Sequence, residues 1–546
     1  MIFAQNLAEA FSAAGFQQAF GVSGANIESF FYALGQRTEL LLAKHEASAI
    51  SMAEGYFRVT GKPGLVLTTS GGGAFHTLAP LAEALASEVP LLVVVGQIAS
   101  DQEGHGGFQD SSGQDTRIDA EKIFSNVTVA VRKIRALDQV QETLDFLIHA
   151  AIQERGPAVL LVPRELWSQP LAKALAIVVP DCALPQPPVS VMERIQESIQ
   201  RSSQILVLAG KDILFHGWQK PLHSLVQKTG AWIALTPDAK GLWDHDAPEF
   251  VGLVGSMGHG STEAALAAAD LILVIGTRLP LMSRPTLAIL HGKELIQLHS
   301  RSGLSFKWPH FSWQGDIGSV LSQVSVQPRC MTSVPQRPEL LRVDHRQAPA
   351  TMPMQDAIAC LAAEFPSATD VFVDAGNIGA AVIHSYPQRG HSIFAVALGM
   401  GGMGHSFGCA IGATAARKKR SLVLAGDGSF YMYGLEIHTA WEHQLPITFV
   451  IFNNNAHAMC QMRERIYLGP PACHNQFRPS FPGAGLRAML PGLPAFDVNS
   501  LEELQARLLQ MREIKGPAVL SIQTDPNEPP PFLPFLNTEP RHKEPS

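Results

Sequence analysis

Short apolar runs recur along the whole chain, each broken by a glycine-rich or polar cluster and followed by residues at helical spacing. Val89-Pro-Leu-Leu-Val-Val-Val95, Ala158-Val-Leu-Leu-Val162, Leu271-Ile-Leu-Val-Ile275, Val371-Phe-Val373, Ser421-Leu-Val-Leu-Ala425 and Ile447–Phe452 are strand-sized and far shorter than a membrane span. Two proline-rich connections, 179–188 and roughly 326–353, divide the repeats into three blocks. Strand, turn and amphipathic helix in repetition predict an α/β protein of three doubly wound parallel-sheet domains: 1–175, 189–326 and 350–525. Residues 526–546, rich in proline and charge, read as an extended tail in which Phe532-Leu-Pro-Phe535 is apolar enough to pack over a site.

Composition narrows the class. A chain of 546 residues suits about three domains. A net charge of -7 without a basic stripe argues against nucleic acid as a partner. Six scattered cysteines form no CxxC pair and no disulfide framework, which fits a reducing cytoplasm. The start, MIFAQNLAEAFSAAGF, is amphipathic, carries Glu9 and lacks an early Lys or Arg, so it makes a poor signal peptide.

The chemistry concentrates between Gly426 and Asn454. The strand ending at Ala425 breaks at Gly426-Asp427-Gly428-Ser429, a helix-like stretch follows over 434–444, and the strand Ile447–Phe452 ends in Asn453-Asn454-Asn455. Both polar clusters fall at carboxyl ends of strands, where open α/β sheets bind ligands. A carboxylate and an amide carbonyl are hard oxygen ligands suited to Mg²⁺, and glycines let backbone N–H groups approach phosphate. A turn with asparagine loop caps is the plainer reading of each cluster taken alone.

In this order and spacing, the GDG and NN clusters resemble the thiamine-diphosphate motif of the 2-keto acid decarboxylase and acetolactate synthase family. The resemblance implies that Asp427, Asn454 and the backbone carbonyl of Ala456 bind the metal. Gly426, Gly428, Ser429 and His457 are implied at the cofactor. Asp374-Ala-Gly376-Asn377 resembles the other turn that clasps the diphosphate, with Asn377-Ile378 in place of the usual Gln-His. Ala397-Leu-Gly-Met-Gly401-Gly-Met403 is similar to the loop beneath the cofactor, which implies that Met403 wedges between its rings and that the Gly401 carbonyl accepts from its amino group. A buried methionine is otherwise a core gap-filler.

His45-Glu46-Ala-Ser-Ala-Ile-Ser-Met-Ala-Glu54-Gly-Tyr-Phe-Arg58 resembles the family's pyrimidine-binding segment. By that likeness Glu46 hydrogen-bonds the aminopyrimidine ring nitrogen and favours the imino form that activates the thiazolium carbon. Without the likeness, Glu46 is a first-turn acid favouring a helix dipole. The family also implies a site shared between subunits, hence a homodimer or tetramer.

Substrate-side residues are mixed. Phe108-Gln109 and Lys122 resemble acetolactate synthases, and the His-His pair of pyruvate decarboxylases is missing. Benzoylformate decarboxylase has a serine where this chain has Gly24-Ala25-Asn26 and a histidine at Thr69. Where synthases carry an arginine for the acceptor carboxylate this chain has Met282, and a pocket-shaping tryptophan is replaced near Arg463. His76, after the glycine-rich turn 69–75, stands where asparagine is common; an imidazole there is either structural or a proton carrier near neutrality. The central block has Gly255-Ser-Met-Gly-His-Gly260 and Gly276-Thr-Arg278 but no GxGxxG after a strand, so FAD, held by this domain in synthases, is possible and a vestigial scaffold is favoured.

The expected activity is therefore thiamine-diphosphate- and Mg²⁺-dependent decarboxylation of a 2-keto acid, pyruvate first among them, with acyl transfer to a carbonyl acceptor. Catalytic roles are expected for Glu46, His76, Gln109, Lys122 and Met403. The missing arginine predicts an uncharged acceptor unless Arg278, Arg284 or Arg463 compensates. The alternatives are a decarboxylase that releases an aldehyde and a catalytically degenerate binding subunit.

Overall fold

The computed structural model describes residues 1–181, 183–301, 310–341, 351–365, 369–390, 392–469 and 474–532. Cys182, Cys473, the middle of the second proline-rich connection and most of the tail lie outside them. The chain builds three parallel sheets of six strands each. The first contains β1 Gln18–Gly21, β2 Glu39–Leu42, β3 Gly64–Thr68, β4 Leu91–Gln97, β5 Ala130–Lys133 and β6 Pro157–Pro163, in the order β2-β1-β3-β4-β6-β5. The second contains β7 Ile205–Ala209, β8 Trp232–Leu235, β9 Phe250–Leu253, β10 Leu271–Ile275, β11 Glu294–His299 and β12 Phe311–Gln314, ordered β12-β11-β10-β7-β8-β9. The third contains β13 Asp370–Val373, β14 Phe394–Val396, β15 Ser421–Gly426, β16 Ile447–Asn453, β17 Ala495–Val498 and β18 Ala518–Gln523, ordered β14-β13-β15-β16-β18-β17. Their central strands are buried throughout because helices cover both faces, which is why they read as unbroken apolar runs.

The first and third units meet through two helices, Glu46–Thr60 and His405–Arg417. Glycines allow the approach: a Cβ at Gly55 would sit 1.8 Å from the Cys409 carbonyl oxygen, and one at Gly412 1.8 Å from that of Met52. Between the helices Glu54, 1% exposed, binds Arg58 at 2.6 Å and His405 Nε2 at 2.9 Å. Burial would raise the Glu54 carboxyl, yet the charges of His405 and then Arg58 hold it down at about 2. Glu436 of the third unit accepts the Lys44 N–H at 3.0 Å, pinning the approach to Glu46. Phe532, at the edge of the described tail, packs against the core shared by the second and third units.

One local expectation is corrected. The helix after β15 starts at Asp427 and runs to Tyr433, earlier than the predicted 434–444, where a 3-10 turn and the helix Ile437–Glu442 follow. The GDG cluster is therefore a helix start, with Gly428 and Ser429 in its first turn. Gly426 just before that turn, with Gly428 and a short polar residue inside it, hides a helical start from propensity arguments.

Candidate active site

The order of the third sheet reverses between β13 and β15, and a cleft of about 230 Å³ opens at their carboxyl ends. Three turns line it. After β13, Ala375, Gly376 and Asn377 lead into the helix Asn377–Ser385; after β15 come Gly426, Asp427, Gly428 and Ser429; after β16 come Asn454, Ala456 and His457, leading into the helix Ala458–Tyr467. Gly401 and Met403 complete the residues predicted on this unit, and Ile378, Phe452, Met459 and Arg463 also face the cleft.

The polar atoms here are short of partners. Asp427 is 1% exposed; its Oδ1 accepts the Gly428 N–H at 3.0 Å, and its buried Oδ2 has no partner among the described residues. Burial pushes this carboxyl up to about 7. Ser429 Oγ and Asn377 Oδ1 are likewise buried and unpartnered. Asn454 Oδ1 accepts the Ala456 N–H at 3.1 Å, folding the turn that aims the Ala456 carbonyl. Leaving such groups unsatisfied costs about 1–3 kcal/mol each, more for a charged one. A cation beside Asp427 and an oxyanion beside the Ser429 hydroxyl relieve two of these costs, so the residues present fit a metal-bound diphosphate. Gly376 (φ 101°) and Gly401 (φ 68°) take left-handed conformations, and a Cβ added at either would meet nothing within 4 Å beyond its chain neighbours. Gly428 is packed tightly instead: a Cβ there would lie 2.7 Å from His457 Nδ1 and 3.1 Å from Met403 Cε.

Two buried carboxylates to which the sequence expectations gave no role of their own hold this cleft in shape. Asp374, fully buried, accepts from Gly404 N at 2.9 Å and Ser406 Oγ at 2.8 Å, tying the turn after β13 to the loop that carries Met403. Glu83 reaches in from the first unit, where it sits on the helix Leu78–Ser87. Its Oε1 accepts from Gly399 N at 2.9 Å, and its Oε2 accepts from Met400 N at 2.6 Å and Gly401 N at 3.2 Å. One charged residue on the apolar helix LAPLAEALAS was the available signal for it.

The predicted residues of the first unit form a separate group. His45 Nδ1 accepts the Ala47 N–H at 3.1 Å and so caps the helix on which Glu46 is the first residue. Glu46 Oε2 lies 2.9 Å from His76 Nδ1. The rings of His45 and His76 stack at 4.6 Å, and burial, then His76, lowers the His45 imidazole. A Cβ at Gly73 would be 3.0 Å from Glu46 Oε1, so the glycine-rich turn is what admits the carboxylate. Gln109, held at φ 66°, accepts from Asn26 Nδ2 at 3.4 Å, and the same amide donates to Ser70 Oγ at 2.7 Å. Lys122 stands apart, 85% exposed and paired with Asp119 at 3.0 Å. Glu46, His76, Gln109 and Lys122 do not line the cleft at Asp427 within the same chain.

The cations proposed to replace the missing arginine also separate. Arg278 pairs with Glu88, and Arg284 Nε donates to the Leu279 carbonyl at 3.2 Å. Met282 is not among the residues of the cleft, whereas Arg463 is. No helix among the described residues is long and apolar enough to cross a membrane.

Comparison with known proteins matches these units to three family profiles. They are the N-terminal TPP binding domain of thiamine pyrophosphate enzymes over residues 1–116, the central domain over 192–324 and the C-terminal TPP binding domain over 374–522. The chain is 25% identical to the acetolactate synthase isozyme 1 large subunit of Escherichia coli (strain K12), covering 93% of this chain and 91% of that protein. It is 26% identical to the 2-hydroxyacyl-CoA lyase of Oryza sativa subsp. japonica, covering 95% and 94%. Among solved structures, benzoylformate decarboxylase from Polynucleobacter necessarius superposes with a TM-score of 0.83 at 20% identity, over 97% of this chain and all of that one, a likeness of fold. With a cleft whose free polar atoms suit a metal-bound diphosphate and profiles spanning all three units, the chain belongs to the thiamine pyrophosphate-dependent enzymes.

Proposed function

We propose that this enzyme decarboxylates a 2-keto acid, pyruvate foremost, and joins the acyl fragment to a carbonyl acceptor. The observation that carries the cofactor site is the set of buried atoms without partners, Asp427 Oδ2, Ser429 Oγ and Asn377 Oδ1, around one cleft. Asp427, Asn454 and the Ala456 carbonyl would hold Mg²⁺; Gly428, Ser429, Gly376 and Asn377 would hold the diphosphate. Met403 and the Gly401 carbonyl would orient the rings. When bound, thiamine diphosphate supplies the electron sink that loss of CO₂ requires.

Glu46 would serve the cofactor of a neighbouring subunit, since it lies outside its own chain's cleft, which makes a homodimer the smallest complete assembly. His76 Nδ1, within hydrogen-bond reach of Glu46, would give and take the proton that Glu46 shares with the ring nitrogen, and His45, capping the helix, keeps both in place. Gln109, on a separate loop packed against the glycine-rich turn at Gly71, would face the reacting centre beside them; Lys122 would reach it only from a partner's side.

Ligation rather than aldehyde release is supported by the likeness to the acetolactate synthase large subunit. The test is a substrate panel that reads CO₂ and ligated product together, pairing pyruvate with neutral aldehydes, ketones or diketones and with a second 2-keto acid. Ligated products in excess of free aldehyde are expected, with neutral acceptors preferred because Met282 offers no cation. CO₂ with aldehyde alone would mark a simple decarboxylase, and dominant acetolactate would show that the departure at Met282 does not set the acceptor and that the enzyme is an ordinary acetolactate synthase.

A further inference from the structure

The central sheet, read β9-β8-β7-β10-β11-β12, has the order in which dinucleotide-binding folds place a pyrophosphate. The phosphate position in such a sheet is the crevice outside the carboxyl ends of the two strands at the reversal, here β7 and β10. In this chain the two turns at that point touch. Asp212 N donates to the Gly276 carbonyl at 3.1 Å, and a Cβ at Gly210 would lie 2.4 Å from Thr277 Cβ. The helix that starts there, Asp212–Phe215, is four residues long and offers no extended run of free N–H groups.

Two cations of the crevice, Arg278 and Lys211, are paired with a residue of another domain, and the charge of Arg301 also faces that residue. Glu88 follows the helix Leu78–Ser87 of the first unit, and its side chain is only 8% exposed. Its Oε1 pairs with Arg278, and its Oε2 lies 4.0 Å from Lys211 Nζ, which also donates to the Ser87 carbonyl at 3.2 Å. Arg155 Nη1 lies 2.8 Å from His216 Nε2, and its guanidinium covers the Phe215 ring at 4.6 Å. Asp212 adds a second buried carboxylate, accepting from Ser300 Oγ at 2.7 Å. Glu88 sits at φ 62°, a left-handed cap that favours glycine.

We propose that the Glu88 carboxylate occupies the anion position of the central sheet's reversal point, so that the central domain holds neither FAD nor an adenine nucleotide and serves as a brace fastened to the first domain. This goes beyond the reaction proposed above and is independent of the acceptor. The experiment uses the full-length holoenzyme. Acid extraction of the purified protein should release no flavin, and calorimetric titration with FAD or ADP should give no saturable heat. Glu88→Gln removes the charge that satisfies Arg278 and Lys211, so this variant should bind inorganic phosphate or ADP roughly tenfold or more tightly than the wild type and should regain thermal stability when phosphate is added. Stoichiometric FAD or ADP binding by the wild type overturns the proposal. So does a variant that still binds thiamine diphosphate but takes up phosphate no better than the wild type. If Glu88→Gln does not fold, the wild-type titration decides alone.

Discussion

Asp427 and Glu46 are two carboxylates in contrasting surroundings. Asp427 is sealed in the cleft wall with one oxygen unpartnered among the described residues, and burial lifts its carboxyl to about 7. A divalent cation there exchanges an unpaired buried charge for a ligand bond. Chelation should therefore release cofactor and activity together. Asp427→Ala should bind thiamine diphosphate at least about tenfold more weakly by calorimetry in the presence of Mg²⁺, the effect of a lost charge-assisted contact. Equal affinity in variant and wild type would end the metal assignment. Glu46 is partly open, faces His76 Nδ1 at 2.9 Å and is the first residue of its helix. Glu46→Gln should retain the cofactor but slow exchange of the thiazolium proton by roughly 10²-fold or more, because an amide cannot share the proton with the ring nitrogen. Exchange at the wild-type rate would return Glu46 to the role of a helix-capping acid.

At the scale of elements, two contacts make the separate units behave as one frame. Glu83 receives three successive N–H groups of the loop that carries Gly401 and Met403. Glu83→Ala leaves those three donors without their acceptor. The loop should loosen and cofactor affinity fall by roughly tenfold or more; a calorimetric affinity unchanged from wild type would show that the loop holds its shape without the clamp. The second contact is Glu54 between Arg58 and His405. The folded Glu54 carboxyl, at about 2, lies below its unfolded value of about 4.3, so its contribution is complete above pH ~4.3 and is lost as pH falls toward 2. His405 is raised because the attraction of Glu54 outweighs burial; its contribution is complete below its unfolded value of about 6.5 and is lost as pH rises through the folded one. Both therefore act together between roughly pH 4.3 and 6.5. Glu54→Gln should reduce unfolding free energy by about 3–5 kcal/mol in that window and flatten the acid limb of the stability profile, measured by denaturant titration at several pH values.

Across the whole molecule, the Glu46 group belongs to a different unit from the cleft at Asp427: His45 meets the far end of the helix Asp427–Tyr433 through Tyr433 at 5.1 Å, but Glu46 does not line its own chain's cleft. A two-fold dimer would join the first unit of one chain to the third unit of the other, making two shared sites. Mixing settles the arrangement. Chains carrying Glu46→Gln and chains carrying Asp427→Ala should each be nearly inactive. After co-refolding or co-expression, random pairing makes half the dimers mixed, each with one intact site of two, so activity should return to about a quarter of wild type. Absence of any recovery in verified mixed dimers would place both residues in one chain's site.

Much of the architecture follows from the local pattern of residues. Apolar runs of five to seven residues are buried on both faces only in a covered parallel sheet, and glycine or asparagine at their ends marks the turns, so the three α/β units were legible without tertiary information. The polar clusters at 374–377, 426–429 and 454–457 could likewise be placed at strand ends from sequence, although their link to one cofactor came from family likeness. The folded chain alone decided that Asp427 begins a helix and that β13 and β15 adjoin at the reversal of their sheet. It also decided that Glu83 clamps a loop more than 300 residues away and that Glu88 closes a crevice in another domain. The reason is the range of the forces. Burial periodicity and turn chemistry act within a few residues and leave a mark in order and spacing. A carboxylate's partners are fixed by long-range packing, and a lone glutamate on an apolar helix reads the same whether water or a second domain receives it.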